Sequence, residues 1–346
     1  MDKITRIFID TSKQIFQLHG VNAAEEPVLC RALRRGQLLA FLAKLEPTLI
    51  GLEACGSSHY WAREIGRLGH EVKLVAPQHV KAYVRRNKND GRDAEAGCEA
   101  ISRPRTRFVP VKSAEQQADL MLVGARERLV RSRTQLANAI RGHAAEFGLV
   151  APRGLERIEP LLVEAAGDER VPPLARELFA ELGREWVELQ ARVRAADARL
   201  LAWHRAHPVS RRLARVPGIG PVGAALLVMK TPDPTVFRSG RCFGAWIGLT
   251  PKDHSTAGKL RLGGITRAGD EALRATLVAG ATAVIRQARM GRGTVSPWLR
   301  SLLQKKAPKL AAVALANKLA RIAWKLMLTG EDYRPERLLA ELPAQS

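Results

Sequence analysis

Asp10 and Glu53 each close a short apolar run, ITRIFID over residues 4–10 and TLIGLE over residues 48–53, and Asp90 and Asp93 sit three apart in NKNDGRDAEA. A carboxylate at the end of a strand points out of the sheet, where a cation can reach it, and acids three apart share one helix face. Hard divalent cations such as Mg²⁺ take oxygen ligands, and one or two of them can clamp the attacking and leaving oxygens of a phosphoryl transfer. Each acid alone has a plainer reading. Asp10 could cap a turn, Glu53 could start a helix at Ala54-Cys55-Gly56, and Asp90 and Asp93 could be acids favoured by a helix N-terminus. Taken together and in this order, the four make a ligand set for one or two Mg²⁺ ions.

A second segment carries hydroxyls among cations. Residues 246–270 read WIGLTPKDHSTAGKLRLGGITRAGD, with Ser255 and Thr256 close to His254, Lys259, Arg261 and Arg267. A hydroxyl relieved of its proton can attack phosphorus while the cations stabilise charge on the phosphoryl group. On spacing alone a phosphate-contacting turn is the better reading, with Thr256 and the four basic residues as contacts. His254 could relay a proton or only touch phosphate.

The elements that must position these groups follow from composition and pattern. The chain has 346 residues and a formal net charge of +22. Its length calls for two or three domains, and 46% hydrophobic residues exclude wholesale disorder. The four cysteines, Cys30, Cys55, Cys98 and Cys242, have no C-x-x-C spacing and read as reduced, buried thiols. The absence of a long apolar stretch and of a signal-peptide core points to a cytoplasmic protein, with no membrane partner. Residues 234–330 hold 17 Lys and Arg against three acids, so the positive charge is concentrated where a polyanion would bind. With only 5% aromatics, phosphate contacts rather than base stacking should dominate.

Residues 1–110 read as α/β: strands over 4–10, 14–19 and 26–31, a helix over 37–45, a strand over 48–53, a helix over 59–68, a strand over 71–76, a short helix near 80–86, and the helix opened by Asp90. A hairpin followed by β-α units is the order of a ribonuclease-H-like fold. Residues 111–207 read as a connector of two long helices, over 113–148 and 173–207, either a coiled-coil arm for dimerisation or a hairpin within one chain. Residues 208–335 read as a mostly helical domain. There Pro217-Gly218-Ile219-Gly220 separates two apolar helices as a helix-hairpin-helix would, with Gly218 and Gly220 offering backbone N–H groups to a phosphate.

On the segments FIDTSK, IGLEACGSS, APQHVKAYVRRNKNDGRDAEA, VPGIGPVGA and FGAWIGLTPKDHSTAGKLRLGGITRAGDEALR, which span nearly the whole chain, the sequence resembles DEDD-type insertion-sequence transposases of the one-ten family, related to Piv-type DNA invertases. The resemblance implies a RuvC-like N-terminal domain with Asp10, Glu53, Asp90 and Asp93 as metal ligands, a coiled-coil connector, and a C-terminal transposase domain with a nucleophilic serine. It also implies double-stranded DNA of the element ends and target as partner, a structured noncoding guide RNA, and a homodimer assembling to a tetramer on DNA. Ungapped alignment puts Thr256 in the nucleophile's column, and a one-residue gap puts Ser255 there. Ser255 is favoured because the family's nucleophile is a serine and a primary hydroxyl is less hindered. The residue before Asp10 in the family's usual GID is glycine-preceded, whereas FID stands here, with Phe8 in a strand interior.

The sequence also admits other readings. A RuvC-like endonuclease would use the same four acids with water, and a site-specific DNA invertase would need no guide RNA. A sugar-kinase-like ATPase needs a second glycine-rich phosphate loop with an Asp, which the sequence lacks. A non-catalytic nucleic-acid binder leaves the four acids unexplained.

Overall fold

The computed structural model describes residues 3–83, 90–231, 233–292 and 296–334. The chain divides into two compact units, Met1–Gln117 and Ala118–Ser346.

The first unit opens with three antiparallel strands, β1 (Arg6–Asp10), β2 (Ile15–Val21) and β3 (Pro27–Arg34). There follow α1 (Leu38–Leu42), β4 (Leu49–Glu53), α2 (Ser58–Arg67), β5 (Glu71–Val75), α3 (Pro77–Lys81), α4 (Asp90–Ser102) and β6 (Phe108–Val109). Among the described residues these strands form one sheet in the order β3-β2-β1-β4-β5-β6, with β1, β4 and β5 parallel to one another. The period-2 alternation of a strand sends neighbouring side chains to opposite faces. Ile7 and Ile9 of β1 join Ile50 and Leu52 of β4 in the core that α1 and α2 cover with Leu38, Leu42 and Ile65. Phe8 faces the other way and joins Val75, Ala96, Cys98 and Ile101 in the core that α4 covers.

Two details differ from the sequence reading. The helix after β5 begins at Pro77, because proline's fixed φ and missing N–H suit a first helical turn; the rest of the stretch expected there, residues 84–86, lies outside the described residues. Phe108 and Val109 pair antiparallel with β5 as a strand too short to leave a periodic signal between two prolines.

The second unit is mostly helical. α5 (Ala114–Ala145), which begins just before the division, is followed by α6 (Ile158–Gly167) and α7 (Pro173–Ala206). Leu136, Ile140, Leu161, Trp186 and Leu189 share one core across these three helices. Arg126 pairs with Asp197, and Arg133 Nη1 donates to Gln190 Oε1 at 3.2 Å, so α5 and α7 run antiparallel as a hairpin within one chain. α6 had no counterpart in the sequence reading. Its Pro160 falls in the first turn, where a missing N–H leaves no bond unmade.

Next come α8 (Pro208–Leu213), α9 (Pro221–Lys230), α10 (Gly240–Ile247), the short strands β7 (Pro251–Asp253) and β8 (Leu262–Ile265), then α11 (Glu271–Arg289), α12 (Pro297–Lys305) and α13 (Pro308–Thr329). α9, α10, α11 and α13 enclose a core of Leu227, Phe243, Ile247, Leu277, Ala281, Ala316 and Leu319. Lys230 Nζ, almost fully buried, donates to Glu127 Oε1 and Asp270 Oδ2, each at 2.6 Å, and so joins α5 and α9 to the N-cap of α11. Of the four cysteines, all free, only Cys98 is buried, while Cys30 and Cys55 are exposed. The expectation of buried thiols is thereby corrected: Cys30 lies on β3, an edge strand among the described residues, and Cys55 in the turn after β4, and both are exposed there. Among the described residues no helix is long and apolar enough to cross a membrane.

Candidate metal site and serine hairpin

Asp10 is the last residue of β1 and Glu53 the last of β4, and the two strands are parallel neighbours with Ile9 opposite Leu52. Their carboxylates therefore leave the sheet side by side at its C-terminal edge. Strand alternation puts Asp10 on the face of Phe8 and Glu53 on the face of Gly51, which is the face that α4 covers. The two strand exits are tied by a contact of 3.3 Å between Thr11 Oγ1 and Cys55 Sγ. Asp10 and Glu53 are both half-buried.

The remaining acids belong to α4. Asp90 opens this helix, and its side chain lies outside the described residues. Asp93 is half-buried, with Oδ1 out of contact with solvent. The helix lies close on the sheet because glycines are used at the crossing. A Cβ on Gly97 would fall 2.2 Å from the Phe8 ring, and one on Gly51 would fall 2.7 Å from Phe8 and 2.8 Å from Ile101. Arg6 Nε donates to the Cys98 carbonyl at 3.2 Å and ties β1 to the same helix. Phe8, the departure from the usual motif, is thus the side chain on which α4 rests. A Gly97→Ala protein should lose about 1–3 kcal/mol of stability from overpacking, read as a melting temperature several degrees lower; an unchanged melt would show that the helix does not approach this closely.

Among the described residues, no three of His, Cys, Asp and Glu are close enough together to hold a metal ion. The donor set nevertheless fits a hard divalent cation. It offers carboxylate oxygens only, from two adjacent strand ends and from the helix covering that face, and oxygen-only ligation suits Mg²⁺.

The serine segment is a β-hairpin, exposed along its tip. β7 and β8 pair antiparallel, His254 N–H donates to the Arg261 carbonyl at 2.8 Å, and Thr256 and Lys259 exchange main-chain bonds. Ala257 and Gly258, at φ +47° and +78°, make the two-residue turn, the left-handed pair that matches strand twist. At its base, Gly248 and Gly269 let the backbone pass against Ala268 and Trp246; a Cβ there would fall 2.0 and 1.9 Å from their carbonyl oxygens. Ser255 Oγ accepts from the Arg261 N–H at 3.0 Å, and Ser255 N–H donates to Asp253 Oδ1 at 2.8 Å. Hydrogen bonds from the Ser255 side chain and backbone hold the Asp253 carboxyl below the usual carboxylate range. Thr256, Lys259, Arg261 and Arg267 are all exposed on this hairpin or its base.

The Pro217–Gly220 turn lies elsewhere in the same unit. Gly218, at φ +94°, packs against α11 and α13, so that a Cβ on Gly280 would fall 1.9 Å from the Gly218 carbonyl oxygen. Gly220 is the exposed N-cap of α9. Of the two glycines expected to meet phosphate, Gly220 is exposed and Gly218 half-buried. The residue that the sequence reading passed over is Asp253. Its spacing of two from Ser255 in a strand was the available signal.

Comparison with known proteins agrees along the chain. Residues 8–147 match a DEDD-type transposase model of the IS110 group, and residues 210–303 match a model described as transposase IS116/IS110/IS902 family. The chain is 62% identical over 335 residues to a Sinorhizobium fredii protein named as a transposase, covering 96% of this chain and 87% of the relative. It is 37% identical over 330 residues to the transposase for insertion sequence element IS1328 of Yersinia enterocolitica, covering 95% and 98%. It is 36% identical over 337 residues to the transposase for insertion sequence element IS1111A of Coxiella burnetii, covering 96% and 92%.

Proposed function

The chain belongs to the IS116/IS110/IS902 family of transposases, and from that premise we propose that it cuts and exchanges DNA strands with Ser255 as nucleophile and Asp10, Glu53, Asp90 and Asp93 as ligands of Mg²⁺. The observation that carries the reading is the pairing of β1 with β4, which sets Asp10 and Glu53 side by side on the face under the helix of Asp93. The mixed sheet and helical second unit are consistent with a DEDD nuclease-like fold of the RuvC kind. When bound, the ion supplies Lewis acidity at the scissile phosphate.

The chain's own residues do the rest. Lys259, Arg261 and Arg267 on the exposed hairpin hold phosphate oxygens by charge, and Gly220 offers an N–H at the start of α9. Ser255 Oγ attacks phosphorus, and the strand is held as a phosphoserine ester until a 3′-hydroxyl of the partner strand displaces the serine. Exchange by this route conserves the bond energy of the phosphodiester. The acids and Ser255 lie in different units of the chain, and the reaction requires both at one phosphate. A structured RNA that pairs with donor and target DNA would supply sequence choice, because phosphate contacts alone carry none. RNA sequenced after co-purification would identify it.

The test is removal of metal. Strand cleavage of element-end DNA by purified protein should vanish in EDTA and return with Mg²⁺ in excess. Cleavage that persists undiminished in chelator would take the four acids out of the chemistry.

A further inference from the structure

We infer that Asp253 is the proton acceptor for the Ser255 hydroxyl, an assignment that rests on the serine reading above. Three features of the hairpin lead to it. Asp253 ends β7, and a spacing of two puts its side chain on the face of Ser255, with His254 directed to the other. The His254 ring instead crosses to β8, where a Cβ on Gly263 would fall 3.2 Å from its Nε2. The hydrogen bonding of Ser255 ties the two together: Oγ accepts from the Arg261 N–H at 3.0 Å, and the Asp253 carboxylate on the same face receives the Ser255 N–H at 2.8 Å. One lone pair on Oγ remains for phosphorus.

Charge supplies an independent argument. Between residues 246 and 268 Asp253 is the only acid, among Lys252, Lys259, Arg261 and Arg267. A carboxylate on a cationic hairpin weakens attraction for a polyanion, so electrostatics of binding alone disfavours it. As a carboxylate it is in the basic form throughout neutral pH.

The step balances simply. The Oγ–H proton passes to an Asp253 oxygen, the Oγ–P bond forms, the P–O3′ bond breaks, and the departing 3′-oxygen takes a proton from solvent. Reversal, with Asp253 returning the proton to Oγ, accompanies attack by the partner 3′-hydroxyl.

The experiment measures covalent protein–DNA adduct in single turnover between pH 6 and 9, with Mg²⁺, for the wild type, Ser255→Ala and Asp253→Asn. The Asn side chain keeps an oxygen to accept the Ser255 N–H, so the turn is preserved while the base is lost. Asp253→Asn should form adduct about 10²–10⁴-fold more slowly, with a rate that climbs more steeply with pH than the wild type's as hydroxide replaces the missing base. DNA binding should be equal or tighter. A wild-type rate and profile in Asp253→Asn would overturn the inference and leave the serine standing. A slow variant with the wild-type pH profile would assign Asp253 to hairpin geometry and overturn proton transfer. No adduct in the wild type, or full adduct in Ser255→Ala, would fail the serine reading itself and this inference with it.

Discussion

Asp10→Asn should abolish DNA cleavage while the protein still folds and still binds DNA. The amide matches the carboxylate in shape but lacks the charge that holds a divalent cation. The expected loss is about 10³-fold or more, roughly 4 kcal/mol of transition-state stabilisation, within the several kcal/mol a bound metal supplies. The fold should survive because Asp10 lies at the end of β1, whereas the residues that bury this strand, Ile7, Phe8 and Ile9, are untouched and at most 1% exposed. Glu53→Gln should behave alike, since Glu53 ends the adjacent strand in the same way. Single-turnover cleavage, a thermal melt and a DNA-binding isotherm together check this. Normal cleavage by either protein would remove that acid from the site, and a collapsed melt would reassign it to stability.

Ser255→Ala should eliminate the covalent protein–DNA adduct, and Thr256→Ala should retain it. The two hydroxyls are adjacent in sequence but differ in setting. Thr256 closes the hairpin turn through main-chain bonds to Lys259 that its side chain does not enter. Ser255 presents Oγ to the Arg261 N–H on the face it shares with Asp253. The loss in Ser255→Ala should exceed about 10³-fold, because removal of a nucleophile leaves only positioning and charge stabilisation. Denaturing gels of protein with labelled DNA separate the outcomes. Adduct at wild-type level in Ser255→Ala would falsify the nucleophile assignment. Cleavage without adduct in the wild type would point to water as the attacking group and an endonuclease reaction.

Much of the first unit was legible without coordinates. The runs ending in Asp10 and Glu53 are apolar and bounded by turn residues, and burial of both faces of a central strand demands that pattern. The long helices α5 and α7 were equally plain, because a 3.6-residue stripe repeated over some thirty residues has few competing explanations. Phe108-Val109 and α6 were not, since one is too short for any period and the other carries its proline where helices tolerate it. Whether α5 and α7 meet within one chain was undecidable from a stripe, which specifies an apolar face and not the partner that covers it.

By itself, then, the sequence determined the inventory: four carboxylates at strand and helix ends, a hydroxyl pair in a basic segment, and a family shared with insertion-sequence transposases. Only the tertiary structure decided which of these residues are neighbours. Asp10 and Glu53 stand together because β1 pairs with β4 at a sequence separation of 43 and in one register, and a slip of one residue would have turned one acid to the opposite face. Ser255 looks to Asp253 rather than His254 because a hairpin with its turn at Ala257-Gly258 fixes which side chains share a face. Pairing partner and register are set by contacts distant in sequence, and local pattern holds no record of them.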